Sequence, residues 1–199
     1  DLKDPNAYNP ERSKQLLAED GWKDTDGDGI LDKDGKPLTF DFVVYNSRAE
    51  LPLYAEAVQA DLKKVGIDMK IKTVDYNLID KMGQDGDYDM LISNIVTANT
   101  GDPIWFLANY WHTNVDGSNP QNGSGYSNPQ VDQLLDAAET EFDPAKRRDY
   151  AIQIQQLLMN DGAALFLGYP KTNIVTGSYL KGAVMYPSDY YWITNKITK

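Results

Sequence analysis

The stretch LTFDFVVYNSRAELPLYAEAVQADLKKVGIDMKIKT, residues 38–73, decides the fold class of this chain. Its first part, residues 38–45, carries an apolar side chain at every second position, a spacing typical of a β-strand. Residues 52–65 repeat apolar side chains at the three- and four-residue spacing of an amphipathic helix, which Gly66 ends. Alternation returns in residues 67–73 and predicts a second strand.

A third strand is predicted at residues 88–95, YDMLISNI, after a short helix at 76–82. This strand is apolar on both faces, which is typical of a central strand that is buried from both sides. The order strand, helix, strand, helix, strand implies right-handed crossovers and a largely parallel sheet.

Four local signals predict where further helices begin. Asn or Asp followed by Pro supplies a capping oxygen and a pre-set first helical residue, and such pairs stand at residues 9–10, 102–103, 128–129 and 143–144. We therefore predict helices at residues 10–20, after Pro103, at 129–141 and at 144–161. Residues 163–168, AALFLG, predict a buried strand, and the stretch after them has weak periodicity.

Composition and missing motifs exclude several classes of function. The 24 Asp and 6 Glu outnumber the 19 Lys and Arg, and the net charge of −11 disfavours binding to nucleic acids or anionic membranes. Without cysteine there is no disulfide, zinc-thiolate site or cysteine nucleophile. The sequence also lacks a Gly-x-Ser-x-Gly motif and an apolar run of about 18 residues. Because the chain starts at Asp1 and not at Met, we interpret it as a piece of a longer protein.

An acidic loop is the candidate cation site. Its carboxylates and one backbone carbonyl match positions one, three, five, nine and seven of a calcium loop, at Asp24, Asp26, Asp28, Asp32 and Ile30. Gly29 matches the sixth position, but the twelfth, which should be a bidentate Glu, is Gly35. Calcium is therefore one hypothesis, and an acidic turn that leads into a hairpin is the other.

The segment 94–112 is the candidate ligand-binding region. It leaves the carboxyl end of a predicted strand, which is where ligands bind in open α/β sheets. Of its two tryptophans, we expect one to line a cleft and the other to be structural. The sole histidine, His112, suits a metal that arrives already chelated, or else it is a packing residue. The candidate ligand-binding residues are Thr97, Asn99, Thr100, Trp105, Trp111, His112 and Tyr126.

Several segments then resemble one family, in its order. Residues 9–22, NPERSKQLLAEDGW, resemble the helix that opens the C-terminal lobe of family 5 solute-binding proteins, the extracytoplasmic receptors of peptide and nickel ABC importers. The remaining similar segments are DGKPLTF at 34–40, YDM at 88–90, GDP at 101–103, GYSNPQVD at 125–132 and the Arg pair at 147–148.

The resemblance implies a fold and a role. We expect an α/β, periplasmic-binding-protein-like lobe with a mostly parallel sheet flanked by helices at residues 1–171, and a tail at 172–199 that returns to an N-terminal lobe. The expected protein is not an enzyme and needs no cofactor, apart from possible calcium in the acidic loop. It is a monomer that delivers a small ligand to an ABC importer permease, and it is periplasmic or a cell-surface lipoprotein.

The expected ligand is a peptide or a nickel chelate, with a slight preference for the chelate. Dipeptide receptors of the family place an Asp where this chain has Asn99, and an amide cannot neutralise the α-ammonium of a peptide. Nickel receptors lack that Asp and often use one His after the Asp-Pro, where this chain has His112. Segments 169–173 and 187–192 also resemble nickel receptors. The alternatives are a carbohydrate-active enzyme domain with paired carboxylates and a calcium-stabilised adhesion module.

Overall fold

The computed structural model describes residues 2–97, 101–171, 173–185 and 193–199. Its helices are Pro10–Glu19 (α1), Glu50–Lys63 (α2), Ile79–Asp85 (α3), Pro103–Trp111 (α4), Pro129–Thr140 (α5) and Pro144–Asn160 (α6). A 3₁₀ turn, Tyr76–Leu78, runs directly into α3. The strands are Asp32–Lys33 (β1), Lys36–Pro37 (β2), Thr39–Tyr45 (β3), Asp68–Val74 (β4) and Met90–Leu91 (β5).

Four helices begin as the capping signals predict. The side chains of Asn9, Asp102, Asn128 and Asp143 each accept a hydrogen bond from a backbone N–H in the first turn of α1, α4, α5 and α6, respectively. Pro follows each of these caps, where its fixed φ and missing N–H suit the first helical position. These predictions succeeded because cap and helix lie next to each other in the sequence.

β3 is the central strand of a three-stranded parallel sheet. It pairs with β4 over its whole length, from Thr39 opposite Asp68 to Tyr45 opposite Val74, and with β5 on its other side. The predicted parallel sheet is therefore confirmed. The prediction that residues 88–95 form the central strand is wrong, because β5 has two residues and β3 lies in the middle.

Side chains shorten the ladder between β3 and β5 at both ends. Before β5, the Asp89 carboxylate accepts the backbone N–H of Asp41 at 2.8 Å. After β5, the backbone N–H of Asn94 donates to the hydroxyl of Tyr45 at 3.1 Å. Because these side-chain oxygens replace backbone carbonyls as acceptors, residues with a strand-like sequence leave the ladder early.

The first hydrophobic core surrounds β3. Its last four residues, Phe42 to Tyr45, are all buried, so the strand is covered on both faces. Leu51 and Ala55 of α2 belong to the same core, and so do Met69 of β4 and Ile79 of α3. Burial on both faces is the environment expected for the middle strand of a parallel sheet.

The prediction of a buried strand at residues 163–168 is also wrong. No strand is assigned there, and Leu165 and Phe166 are 65% and 55% exposed. Leu167 packs against the first core, so the segment touches the sheet unit without joining it. An apolar segment becomes a buried strand only when another strand pairs with it, and the described residues offer none at this place.

A second hydrophobic core joins α4, α5 and α6. Its fully buried members include Leu107 of α4, Val131 and Leu135 of α5, and Ile154 and Leu158 of α6. The described part of the chain therefore has two packing units, a sheet unit built on β3 and a three-helix unit.

Two glycines lie at the junction of these units. A Cβ added at Gly123, in the loop before α5, would lie 3.0 Å from the backbone Cα and carbonyl carbon of Gly83 in α3. The hydroxyl of Tyr88 donates to the Gly123 carbonyl at 2.5 Å across the same junction. Close backbone approach of this kind leaves no room for a side chain at position 123.

We predict that Gly123→Ala lowers the free energy of unfolding by about 1–3 kcal/mol, because the new methyl group meets backbone atoms that cannot rotate away. Gly83→Ala is the matched control, since its Cβ would meet Gly123 Cα at an ordinary 3.7 Å. This control should be neutral or stabilising by up to about 1 kcal/mol, because Ala is the better helix former. Urea unfolding of both variants measures the difference. Equal stability of the two variants would contradict the close contact.

Candidate functional site

The carboxyl edge of the sheet collects the segments that leave all three parallel strands. β3, β4 and β5 end at Tyr45, Val74 and Leu91, and their continuations start from the same edge. In open α/β sheets this edge is where ligands bind. We therefore name it the carboxyl edge and define it by residues 46–49, 75–78 and 92–97.

Polar and aromatic side chains meet at this carboxyl edge. The ring of Tyr76 packs edge to face on that of Tyr45, with 5.1 Å between ring centroids. The side-chain amide of Asn94 donates to Glu50 at the start of α2, at 3.2 Å. Asn94 begins the ligand-binding region predicted from the sequence. Tyr45, Glu50 and Tyr76 lie outside that region, because the edge rule was applied to the third strand alone and not to the ends of the first two.

The candidate ligand-binding residues from 97 to 100 are described only in part. Thr97 is half-buried and lies on the segment that leaves β5. Asn99 and Thr100 lie outside the described residues. The chain resumes at Gly101, directly before the cap of α4.

Asp102 ties the start of α4 to the two other helices of its unit. One of its oxygens caps α4 by accepting the N–H of Ile104 at 3.0 Å, and the other accepts a hydrogen bond from the guanidinium of Arg147. Arg147 also donates to the carbonyls of Ala138 and Glu141 at the end of α5. This network fixes the point where the predicted ligand segment enters α4.

The two tryptophans of α4 have different environments. Trp111 is buried in the helical core, with its ring edge to face on Tyr126 at 5.7 Å between centroids. Trp105 is 38% exposed on the same helix. Trp105 therefore has the surface exposure that contact with a ligand requires, and Trp111 has a packing role.

Tyr126 holds the loop before α5 to the end of α6. Its hydroxyl donates to Asp161 at 2.6 Å, and the amide of Asn128 donates to the same carboxylate oxygen at 2.8 Å. Burial, together with the bond to Asp161, raises the pKa of Tyr126 to about 12. The hydrogen bond from Tyr126 is the largest cause that lowers the pKa of Asp161, and the hydrogen bond from Asn128 is the second. In this conformation the hydroxyl of Tyr126 has a structural partner.

His112 ends α4 with both ring nitrogens facing oxygen atoms. Its Nε2 lies 3.2 Å from Oδ1 of Asp136, and its Nδ1 lies 3.3 Å from the carbonyl of Thr113 and 3.7 Å from Oδ1 of Asp132. Burial alone would lower the pKa of His112, but the Thr113 carbonyl and the two carboxylates outweigh it and raise the pKa. A metal can take either nitrogen only after one of these contacts opens.

Amide side chains in the loop after α4 close the end of that helix. Asn122 is 4% exposed, and its amide donates to the carbonyls of His112 and Tyr126, both at 2.9 Å. Asn119 donates to the carbonyls of His112 and Ala108 at 2.8 and 3.2 Å. Both amides therefore donate to the carbonyl of His112, which directly follows the last turn of α4 and lacks an intrahelical donor. The loop therefore uses them for its own fold.

The acidic loop brings three carboxylates together. Asp24, Asp26 and Asp28 each offer an oxygen within 4.8 Å of the other two. The oxygens of Asp24 accept the N–H groups of Gly27 and Gly29, at 2.7 and 3.0 Å.

Two further residues of the predicted calcium set have local partners. Asp32 accepts the N–H and the hydroxyl of Thr25, and the N–H of Ile30 donates to Asp28. The hairpin of β1 and β2 follows the loop directly. This arrangement accommodates both the calcium hypothesis and the hypothesis of an acidic turn.

The fold and the family of this chain agree. A parallel sheet with its candidate site at the carboxyl edge is the architecture of one lobe of a periplasmic-binding-protein fold. The model of the bacterial extracellular solute-binding proteins, family 5 Middle, matches residues 1–118. The chain belongs to this family, whose members are non-catalytic transport receptors.

Two curated relatives illustrate the range of the family. The oligopeptide-binding protein AppA of Bacillus subtilis is 31% identical over 187 residues, 90% of this chain and 33% of AppA. The nickel-binding protein NikA of Staphylococcus aureus is 26% identical over 199 residues, 99% of this chain and 38% of NikA. The chain thus spans about a third of the length of these relatives.

Solved structures of three proteins have the same fold. AppA in complex with a nonapeptide gives a TM-score of 0.67 at 30% identity, and the match covers 82% of this chain and 32% of AppA. S. aureus NikA with Ni(L-His)2 gives a TM-score of 0.67 at 27% identity, and the match covers 81% of this chain and 32% of NikA. A Thermotoga maritima oligopeptide-binding protein with bound mannohexaose gives a TM-score of 0.70 at 26% identity, and the match covers 78% of this chain and 30% of that protein.

Within the described residues, no helix is long and apolar enough to cross a membrane.

We predict a pH-dependent contribution of His112 to stability. Because the folded state raises the pKa of His112, its stabilisation is complete below the unfolded pKa of about 6.5 and is lost as pH rises through the folded pKa. His112→Gln should therefore cost roughly 0.2–1 kcal/mol at pH 5.5 and nothing attributable to charge at pH 9. Denaturant unfolding at both pH values measures this. Asp136→Asn should remove part of the same pH dependence, and a cost that does not vary with pH would exclude the charged contact.

The calcium hypothesis makes a separate prediction about stability. For a site with a dissociation constant of ~0.1 mM, 1 mM calcium should stabilise the fold by about 1.4 kcal/mol. Asp26→Ala should remove this effect, whereas Asp149→Ala on the exposed surface of α6 should retain it. Thermal unfolding in calcium and in EDTA measures both variants. Identical melting in calcium and EDTA would support the acidic turn instead.

Proposed function

We propose that this chain is one lobe of the ligand-binding receptor of an ABC importer and that its ligand contacts lie at the carboxyl edge. Membership in family 5 is the observation that carries this proposal. The geometry supports it, because the parallel strands end together at an edge lined by polar and aromatic side chains. Tyr76 and Trp105 are exposed aromatic residues of the α/β and helical units that a ligand can contact.

We propose that a second lobe completes the receptor. The segment at residues 2–6 lies against the end of α6, where Gln156 exchanges two hydrogen bonds with the backbone of Lys3 and Asn6 donates to the carbonyl of Met159. The stretch after α6 starts from the same place. The segment at residues 2–6 and the stretch after α6 therefore meet at one end of this helix.

Exposed apolar side chains after α6 support the presence of a second lobe. Tyr169 and Val175 are 84% and 93% exposed, and Phe166 is exposed as well. Exposed apolar side chains in such a run mark a surface that another structure covers. We propose that residues 1–171 form the lobe and that 172–199 return to the second lobe, which buries this surface.

We propose a peptide or a nickel chelate as the ligand, with the chelate slightly preferred. Asn99 cannot neutralise a peptide ammonium, which argues against a free peptide amine as the main anchor. His112 is the imidazole available to a chelated metal, and its half-buried position at the end of α4 permits the contact once the bond to Asp136 opens. Calcium in the acidic loop remains a separate proposal, with a structural role.

Partners and location follow from the same proposal. A receptor of this family works outside the cytoplasmic membrane, as a periplasmic protein or a surface lipoprotein, and delivers its ligand to an ABC importer permease. We propose that it works as a monomer. A carbohydrate-active enzyme domain and a calcium-stabilised adhesion module receive no support from the family or from the structural neighbours.

We predict that His112→Ala in the full-length receptor weakens binding of Ni(L-His)2 by more than about 100-fold. Such a loss is larger than the loss of a residue that only supports a metal ligand and does not bind the metal itself. The variant should spare a nonapeptide. Asn99→Asp should do the opposite, because it adds the charge that a peptide ammonium requires. Calorimetry with both ligands measures these changes.

Asp136→Asn is the matched control for His112. It keeps the imidazole and removes the negative charge of its partner, so it should bind the chelate at least as tightly as the wild-type receptor. If His112→Ala binds the chelate like the wild type, His112 is a packing residue and the metal proposal is wrong.

A further inference from the structure

Asn122 and Gly123 form the one Asn-Gly pair in the sequence. An asparagine is most prone to deamidation when glycine follows it, because glycine has no side chain that keeps its backbone nitrogen away from the amide carbon of the asparagine. In this chain the pair lies at the junction of the sheet unit and the helical unit, where Gly123 meets Gly83 and Tyr88. A chemically unstable pair therefore stands at a contact on which the fold relies.

The fold requires both residues of this pair. Asn122 is 4% exposed, and its side-chain amide donates to the carbonyls of His112 and Tyr126, which an ionised aspartate cannot do. Gly123 approaches the backbone of Gly83 so closely that an added Cβ would lie 3.0 Å from two of its atoms. Neither residue can be replaced by a more stable one without the loss of a contact.

The closed junction holds both reacting groups in other contacts. The backbone N–H of Gly123 donates to the carbonyl of Gln121 at 2.9 Å, and the side-chain oxygen of Asn122 accepts the hydroxyl of Ser124 at 2.9 Å. The amide nitrogen of Asn122 donates two further bonds. Deamidation requires this side chain to move onto the Gly123 nitrogen, so it requires these bonds to open first.

We propose that Asn122 is a deamidation site whose rate is set by local opening of the junction. In the open state, hydroxide removes the proton of the Gly123 backbone N–H, and the nitrogen attacks Cγ of Asn122. A bond from this nitrogen to Cγ closes a succinimide ring, the bond from Cγ to Nδ2 breaks, and ammonia leaves with a proton from water. Water then adds to either ring carbonyl and yields aspartate or isoaspartate. The sum consumes one water and releases one ammonia.

The product cannot rebuild the junction. An ionised carboxylate at position 122 only accepts hydrogen bonds, so the carbonyls of His112 and Tyr126 lose its donation. Isoaspartate also lengthens the backbone directly before Gly123, where the approach to Gly83 leaves no spare room. Deamidation therefore loosens, irreversibly, the loop that closes the end of α4. The proposal concerns the lifetime of the folded lobe and is independent of the ligand that the receptor binds.

The test measures deamidation at Asn122 by peptide mapping and mass spectrometry after incubation of the full-length receptor at mildly alkaline pH. The peptide NPQNGSGY, residues 119–126, gives the rate without a fold. Tyr88→Phe removes the hydroxyl that donates to Gly123 across the junction and leaves the reacting pair unchanged. Tyr8→Phe is the matched control, because Tyr8 is 70% exposed and contacts Asp61, outside the junction.

Asn122 in the folded wild-type receptor should deamidate at least about tenfold more slowly than in the peptide, because the attack waits for opening. Tyr88→Phe should raise this rate by roughly twofold to tenfold, the change that loss of one ordinary hydrogen bond produces in an opening equilibrium. Tyr8→Phe should react like the wild type. The exposed Asn46 is the internal reference, and its rate should be equal in all three proteins.

The consequence of deamidation is tested with the product itself. Asn122→Asp should melt at a lower temperature than the wild-type receptor, because the carboxylate cannot donate to the two carbonyls. Asn46→Asp adds the same charge at an exposed position and should change the melting temperature little. Low urea concentrations should change the deamidation rate of Asn122 little, because local opening exposes little surface.

Four results would overturn the proposal. Reaction of Asn122 at the peptide rate in the folded receptor would show that the junction does not protect it. Equal rates in Tyr88→Phe and the wild type, including no reaction in either, would show that this junction does not control the rate. A rate that follows the global unfolding equilibrium across urea would place the reaction in the unfolded chain. Wild-type stability of Asn122→Asp would show that the fold does not need the amide.

Discussion

The burial of β3 between two parallel strands is the constraint on which the rest of this chain depends. Since β3, β4 and β5 run in one direction, their carboxyl ends meet at one edge, and each following segment starts there. The last residue of β3 shows how the core and this edge are coupled. Tyr45 is almost fully buried, yet its hydroxyl accepts the N–H of Asn94 and its ring supports that of Tyr76. A core residue therefore positions the polar surface above it.

The helical unit is held in place chiefly through the ends of its helices. Arg147 connects the beginning of α4 with the end of α5, and Asn122 closes the end of α4 from inside the loop that follows. Gly123, the next residue, is where that loop meets α3 of the sheet unit. One dipeptide thus serves both tasks, because its Asn donates to the His112 carbonyl at the end of α4 and its Gly permits the close backbone approach. The position of α4 relative to the sheet follows from these two contacts.

Sequence reasoning succeeded where the deciding partners are close in the chain. The caps at Asn9 and Asp143 lie within three residues of the N–H groups that they accept, and the strand and helix order predicted the parallel sheet. The length of β5 was mispredicted because Asp89 and Tyr45 end its ladder through bonds that span 48 and 49 residues.

Residues 163–168 were mispredicted for a different reason. Their apolar pattern demands burial, but the described part of the chain has no strand that pairs with them. The apolar pattern was identified correctly, but the strand that would have to pair with it was assumed without support. The same holds for the candidate site, where the polar residue types were found but the partners of Tyr126 and His112 were not.

A polar side chain that the fold already uses is a poor choice for ligand binding. If the amide of Asn122 turned to a ligand, the carbonyls of His112 and Tyr126 would each lose a hydrogen bond, at a cost of about 0.5–1.5 kcal/mol for each bond. Tyr76 carries no such cost, because its side chain is exposed and belongs to neither hydrophobic core. A substitution at this position changes the chemistry of the edge while β3, Arg147 and Asn122 keep the fold. A family that binds different ligands with one fold requires this separation between the residues that build the site and the residues that contact the ligand.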